Sequence, residues 1–97
     1  MTAYIVFTRE KMRNSQEYDL YREKSRPVNS GHPLKPLALY GNHEVLEGPA
    51  IEGAVILEFP TMEAARTYYH SAAYQEAVKH RFLAADHRVF IVEGIQG

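Results

Sequence analysis

The sequence predicts an α+β fold: one four-stranded antiparallel sheet with two helices packed on the same face. Three observations carry this. The elements read in the order strand, helix, strand, strand, helix, strand. The stretch Gly53-Ala54-Val55-Ile56-Leu57-Glu58-Phe59 is apolar on both faces apart from Glu58, which marks a central strand covered on two sides. Each half of the chain repeats a strand, a helix and a strand, and right-handed split βαβ connections interleave these into the ferredoxin-like arrangement.

The first strand is Ala3-Tyr4-Ile5-Val6-Phe7-Thr8, rich in aromatic and β-branched residues. Ala3, Ile5 and Phe7 share one face, and Tyr4, Val6 and Thr8 the other. Asn14-Ser15-Gln16-Glu17 has the form of a capping box, with Asn14 as cap and Glu17 three residues on. The helix it opens is expected to stop near Ser25, because Pro27 disfavours helix at Arg26. Tyr18, Tyr21, Arg22 and Ser25 fall on one face of it by their i, i+3, i+4, i+7 spacing. A stripe of tyrosines suits amphipathic packing with hydroxyls at its edge, or hydroxyls lining a pocket.

Residues 28–36 read as a loop and Leu37-Ala38-Leu39-Tyr40 as a short strand. Gly41-Asn42 interrupts that strand, and residues 43–47 are expected to continue it beyond a bulge or bend. Gly48-Pro49 turns the chain back towards the central strand. Pro60 suits a strand end, and Thr61 caps the second helix. That helix is interrupted at His70-Ser71, where Ser71 can cap a fresh segment. Ala64, Ala65 and Tyr68, then Tyr74, Ala77, Val78 and Phe82, give it a packing face. Asp86 to Ile95 reads as the last strand, its stretch Arg88-Val89-Phe90-Ile91-Val92-Glu93 apolar on both faces and stopped by Gly94.

Two helices cover only one face of the sheet. With Ile5, Phe7, Val55, Leu57 and Phe59 facing them, Tyr4, Val6, Ala54, Ile56 and one face of the last strand look outward. So large an apolar patch calls for a cover, and a second copy of the same sheet is the simplest one. The expected assembly is a homodimer formed face to face through the sheets. RNA would be the competing occupant. Glu52-Gly53-Ala54-Val55-Ile56-Leu57-Glu58-Phe59 falls in the register of the third-strand motif of RNA-recognition modules. Ala54 and Ile56 stand where stacking aromatics are needed, and Glu52 where a base is needed, so no nucleic-acid partner is expected.

Composition is that of an ordinary soluble domain. The 97 residues are 45% hydrophobic and 24% charged, carry a formal charge of −1 and are read as one domain across residues 1–97. With no cysteine, thiolate chemistry and Cys-based metal sites are excluded. The first residues have no basic segment followed by a long apolar run, and no stretch is long enough to span a membrane. The expected location is the cytoplasm, with no membrane partner.

Several segments together resemble a known family. They are Ala3-Tyr4-Ile5-Val6-Phe7, Tyr18-x-x-Tyr21-Arg22, Val45-Leu46-Glu47-Gly48, Leu57-Glu58-Phe59-Pro60-Thr61-x-Glu63-Ala64-Ala65, Tyr68-Tyr69, Ser71-x-x-Tyr74 and Val92-Glu93-Gly94. The set is similar to the domain of unknown function 1330 family, within the dimeric α+β barrel superfamily. The resemblance spans nearly the whole chain, and Leu57 to Tyr74 is its most specific part. It implies the same fold and the same dimer. Superfamily relatives include cofactor-free monooxygenases, lactone isomerases, decarboxylases, cyclases and dehydratases, whereas the family itself has no general assigned reaction. One departure is the loop Gly31-His32-Pro33-Leu34-Lys35-Pro36, which replaces the usual Gly-Gly-rich approach to the second strand.

Candidates for chemistry are few. Glu58 is the one acid in an apolar strand; if buried it would become a base or acid near neutral pH, and otherwise it would pair with an arginine at the dimer edge. His43 follows the Gly41-Asn42 break, so it could reach a pocket mouth or remain a loop histidine. Tyr18, Tyr40 and Tyr69 could supply hydroxyls, and Arg22 or Arg81 could hold a carboxylate or enolate. No metal site is expected: the five histidines are scattered, and Glu76 and His80 read as a solvated helix pair. Superfamily analogy adds the expectation of a cofactor-free enzyme. It would do proton-transfer chemistry (isomerisation, cyclisation, elimination, decarboxylation or oxygenation of a carbanion) on a small organic or polyketide-like ligand. A non-catalytic dimer binding a ligand or partner is the alternative.

Overall fold

The computed structural model describes residues 1–95. Its elements are β1 (Ala3–Met12), α1 (Ser15–Ser30), β2 (Lys35–Leu39), β3 (Gly53–Phe59), α2 (Met62–His70), α3 (Ala72–Ala84) and β4 (Ala85–Glu93). The strands form one antiparallel sheet in the order β2-β3-β1-β4. This is the expected ferredoxin-like arrangement, with the second helix built as two segments.

Strand alternation settles the two faces. Ala3, Ile5, Phe7, Val55, Leu57 and Phe59 are buried beneath the helices. Tyr68, Tyr74, Ala65 and Val78 close the core from above. The opposite face carries Tyr4, Val6, Ala54 and Ile56, with Phe90 and Val92 about half exposed. The molecule is accordingly a two-layer slab, 38 × 35 × 17 Å. Among the described residues no helix is long and apolar enough to cross a membrane.

Five expectations are corrected. Helix α1 continues past Pro27 to Ser30. Its last turn is held from outside: the Tyr68 hydroxyl donates to Asn29 Oδ1 at 2.5 Å, and the Gly31 N–H donates to the Val28 carbonyl at 3.0 Å. These contacts outweigh the missing proline donor. The second strand does not resume after Gly41-Asn42; residues 41–50 are an exposed loop, and the irregularity in β2 pairing falls between Pro36 and Ala38. The capping box is half made. Asn14 Oδ1 accepts from the Gln16 and Glu17 N–H groups, but the Glu17 carboxylate binds His80 Nδ1 at 2.7 Å. Glu76 therefore pairs with Lys79 rather than His80. Finally, Arg81 and not Phe82 takes the inward position on α3: Arg81 is 2% exposed and Phe82 58%. Arg81 lies at i+7 from Tyr74, in the middle of the stripe, and Phe82 at its edge.

The break at His70-Ser71 is as expected. The Ser71 hydroxyl donates to the Tyr68 carbonyl at 2.8 Å and accepts from the Tyr74 N–H at 3.2 Å. One residue thus ends α2 and starts α3.

Candidate active site

A cavity of about 610 Å³ lies between the sheet and the helices. Phe7, Val55 and Leu57 form its floor; α1 supplies Tyr18, Tyr21, Arg22, Ser25, Arg26 and Asn29; Arg81, Tyr68, His87 and Arg9 complete the wall. This volume is typical of small-molecule sites. The exposed lining residues Arg22, Arg26, Leu39 and Tyr40 mark its rim.

The register explains where it opens. Arg9 on β1 pairs with His87 on β4 and with Gly53 on β3. These three form one row on the helix side of the sheet, the last that β3 reaches. Gly53 has no side chain, and the ring of Tyr40 lies in that space, where a Cβ would collide with Tyr40 Cδ1. Tyr40 itself holds φ of 54°, the left-handed region, which turns its ring back over the sheet. Its ring centroid is 4.7 Å from the Arg9 guanidinium carbon, and Tyr18 lies 5.3 Å from the same carbon. Tyr18 and Tyr40 also share a hydrogen bond between their hydroxyls. Arg9 Nε lies 3.3 Å from Glu52 Oε1.

Arg81 lies deeper, its guanidinium carbon 5.7 Å from the centre of the Phe7 ring and 5.6 Å from that of Tyr21. Its Nε is buried without a hydrogen-bond partner, and no carboxylate among the described residues pairs with it. His87 stacks on Tyr18, ring centres 6.1 Å apart and 8° from parallel, and its Nδ1 is likewise buried and unpartnered. Burial, reinforced by the charges of Arg81 and Arg9, lowers the His87 pKa to about 4. The imidazole is therefore neutral at pH 7. Burial also raises the hydroxyls of Tyr21, Tyr40, Tyr68 and Tyr74 well above the ordinary phenol range, so they remain neutral donors.

Of the seven site residues expected from sequence, the fold brings Tyr18, Arg22, Tyr40 and Arg81 to this cavity. Tyr69 does not line it; its ring packs against Tyr74, 5.3 Å between centres, above the core. The two expected bases lie elsewhere. Glu58 alternates onto the outer sheet face, opposite Tyr4 and Lys35. His43 sits on the exposed loop, where Nε2 contacts the Ile51 carbonyl at 3.1 Å. The groups that sequence reasoning missed are His87 and Arg9. Parity alone could have flagged both: Arg9 shares a face with Ala3, Ile5 and Phe7, and His87 with Val89 and Ile91. Among the described residues no three His, Asp or Glu side chains converge as a metal site would require.

A family model described as Domain of unknown function (DUF1330) matches residues 2–95. No functionally curated protein matches the chain. Among solved structures, a protein of unknown function from Rhodopseudomonas palustris is 22% identical, with a TM-score of 0.77 over 99% of this chain and 84% of that one. A dimeric ferredoxin-like protein of unknown function from Thermobifida fusca is 10% identical, with a TM-score of 0.64 over 96% and 91%. SnoaB, a cofactor-independent oxygenase from Streptomyces nogalater, is 7% identical, with a TM-score of 0.60 over 99% and 94%. At these identities the structural likeness shows the fold alone.

Proposed function

This chain belongs to the DUF1330 family, and from that premise we propose that it is a small dimeric enzyme that moves protons on a small organic molecule without metal or organic cofactor. The observation that carries the reading is the pair Arg81 and His87. Both line one cavity, and among the described residues Arg81 Nε is buried without a hydrogen-bond partner. Unsatisfied buried polar groups destabilise a fold, and they collect where a ligand completes them.

The chemistry that fits is abstraction of a proton next to a carbonyl. The His87 imidazole takes the proton, the C–H electron pair becomes a C=C bond as the carbonyl π pair moves onto oxygen, and the enolate oxygen is held by the Arg81 guanidinium and a tyrosine hydroxyl. The enolate is then reprotonated, eliminates or meets oxygen according to the substrate. SnoaB is described as a cofactor-independent oxygenase on a similar fold, which lends the reading analogy and no more. The dimer rests on the outer sheet face and on the similar protein from Thermobifida fusca described as dimeric.

The test is exchange in D2O. Acetylacetone and ethyl acetoacetate are incubated with the protein, and loss of the central C–H signal is followed by NMR. Exchange above background that falls at least tenfold in His87→Ala supports the reading. Exchange that His87→Ala leaves unchanged overturns the assignment of the base. One observation favours a second reading, a non-catalytic binding protein: a histidine titrating near 4 is a weak base. Ligand binding without exchange selects that reading.

A further inference from the structure

Taking the cavity as the site, as above, the remaining question is what its occupant carries. Four arginines line it, namely Arg9, Arg22, Arg26 and Arg81, and no aspartate or glutamate does, although the chain as a whole has a charge of −1. Glu52 reaches Arg9 from outside the lining. Arg81 has no such partner among the described residues and is 2% exposed.

The manner of packing narrows the choice further. The guanidinium carbon of Arg81 lies between 5 and 6 Å from the ring centres of both Phe7 and Tyr21, so aromatic surface occupies its surroundings. What it has left to offer is its in-plane N–H edge. A carboxylate matches that planar fork with two parallel hydrogen bonds; a carbonyl or a hydroxyl matches half of it. The same cavity is lined by the aromatic rings of Phe7, Tyr21 and Tyr68 and by Val55 and Leu57. The Tyr21 and Tyr74 hydroxyls share one hydrogen bond at 2.8 Å, one donating and the other accepting.

We propose that the site selects an organic carboxylate borne on a flat ring, with the carboxylate paired to Arg81 and the ring held between the tyrosines and the sheet. The ligand restores the missing counter-ion, so charge and shape are read at the same place. A neutral analogue of equal size pairs with only half of the Arg81 fork and binds more weakly. An inorganic anion satisfies the guanidinium but fills none of the apolar volume.

The probes are sodium benzoate, benzamide and inorganic phosphate, titrated calorimetrically into the wild-type chain and into the Arg81→Met and Arg81→Lys variants, with circular dichroism confirming that each variant is folded. The expected result is benzoate binding at least tenfold tighter than benzamide and than phosphate. Arg81→Met abolishes the preference for benzoate over benzamide. Arg81→Lys, which keeps the charge and loses the fork, weakens benzoate at least fivefold even if the methionine variant does not fold. Equal binding of benzoate and benzamide overturns the proposal. So does phosphate matching benzoate, benzoate failing to bind, or benzoate affinity untouched by either folded variant. The two readings fail separately: benzoate preference without exchange in D2O removes catalysis and leaves this selectivity, whereas exchange of neutral dicarbonyls without benzoate preference does the reverse.

Discussion

Arg81 illustrates the conflict between stability and function at the scale of one residue. A buried cation without a counter-ion is unfavourable, and the nearby Phe7 and Tyr21 rings offset only part of that. Arg81→Met keeps the length and the apolar stem, so it is expected to raise stability by about 1 kcal/mol while removing anion binding. Urea denaturation of the two proteins without ligand checks this, and a destabilised methionine variant would mean that Arg81 is a structural cation. His87 gives a pH dependence of definite sign. Its folded-state pKa is about 4, below the ordinary 6.5, so the unfolded chain binds the proton more readily. Its contribution is intact above pH 6.5 and is lost as pH falls from there towards 4. His87→Phe preserves a ring against Tyr18 and cannot titrate. Its thermal midpoint is expected to fall less than that of the wild type across this window, and parallel curves would contradict the burial argument. The sequence offers Arg81, beside the buried stripe, as a group that could hold a carboxylate or enolate, but shows His87 only as one of five scattered histidines. What singles them out is burial, which depends on how β4 pairs with β1 and how α3 rolls on the sheet.

At the scale of elements the sequence is far more legible, because caps and strand alternation are local physics. Asn14, Thr61 and Ser71 each cap the helix expected of them. Ser71 is the most informative, since one hydroxyl serves two helix ends. Ser71→Ala is expected to cost about 1 kcal/mol by urea denaturation, at the usual magnitude for a lost cap. Because α3 carries Arg81 and Tyr74, benzoate affinity is expected to fall with it; an unchanged affinity would show that α3 is held by packing alone. Gly53 is a second test. A methyl group there collides with the Tyr40 ring, not with backbone, so Gly53→Ala displaces that ring from Arg9 at small cost to stability. Weaker ligand binding with a nearly unchanged thermal midpoint is the expected outcome. The elements misjudged are those decided by long-range contacts. Pro27 argues for a stop that Tyr68, 41 positions further on, overrides through Asn29. The stretch after Gly41 has strand-like residues, but no partner strand lies beside it.

For the whole molecule the open question is the outer face of the sheet. Alternation makes this face as surely as it makes the core: every residue of β1 and β3 that does not point to the helices points here. Val6 pairs across to Ile56 on one side and to Phe90 on the other, and Ala38 extends the same row on β2. An apolar row therefore crosses all four strands at the middle of a slab only 17 Å thick. Glu58 and Lys35 stand opposite each other one row further on, on the same surface. A face with an apolar centre and a charged edge suits self-association better than solvent, because two copies bury the row while the charged pairs stay at the margin. Light scattering across a dilution series is expected to give a concentration-independent mass of about 22 kDa, twice the 11.1 kDa of one chain. Ile56→Asp places a charge at the centre of that row while leaving the cavity on the other face untouched. It is expected to shift the mass towards 11.1 kDa and to leave benzoate affinity within about twofold, since its side chain points away from the cavity. A wild-type monomer would remove the dimer from the proposed function. Loss of benzoate binding in a folded Ile56→Asp monomer would instead show that the cavity requires the partner subunit for its shape.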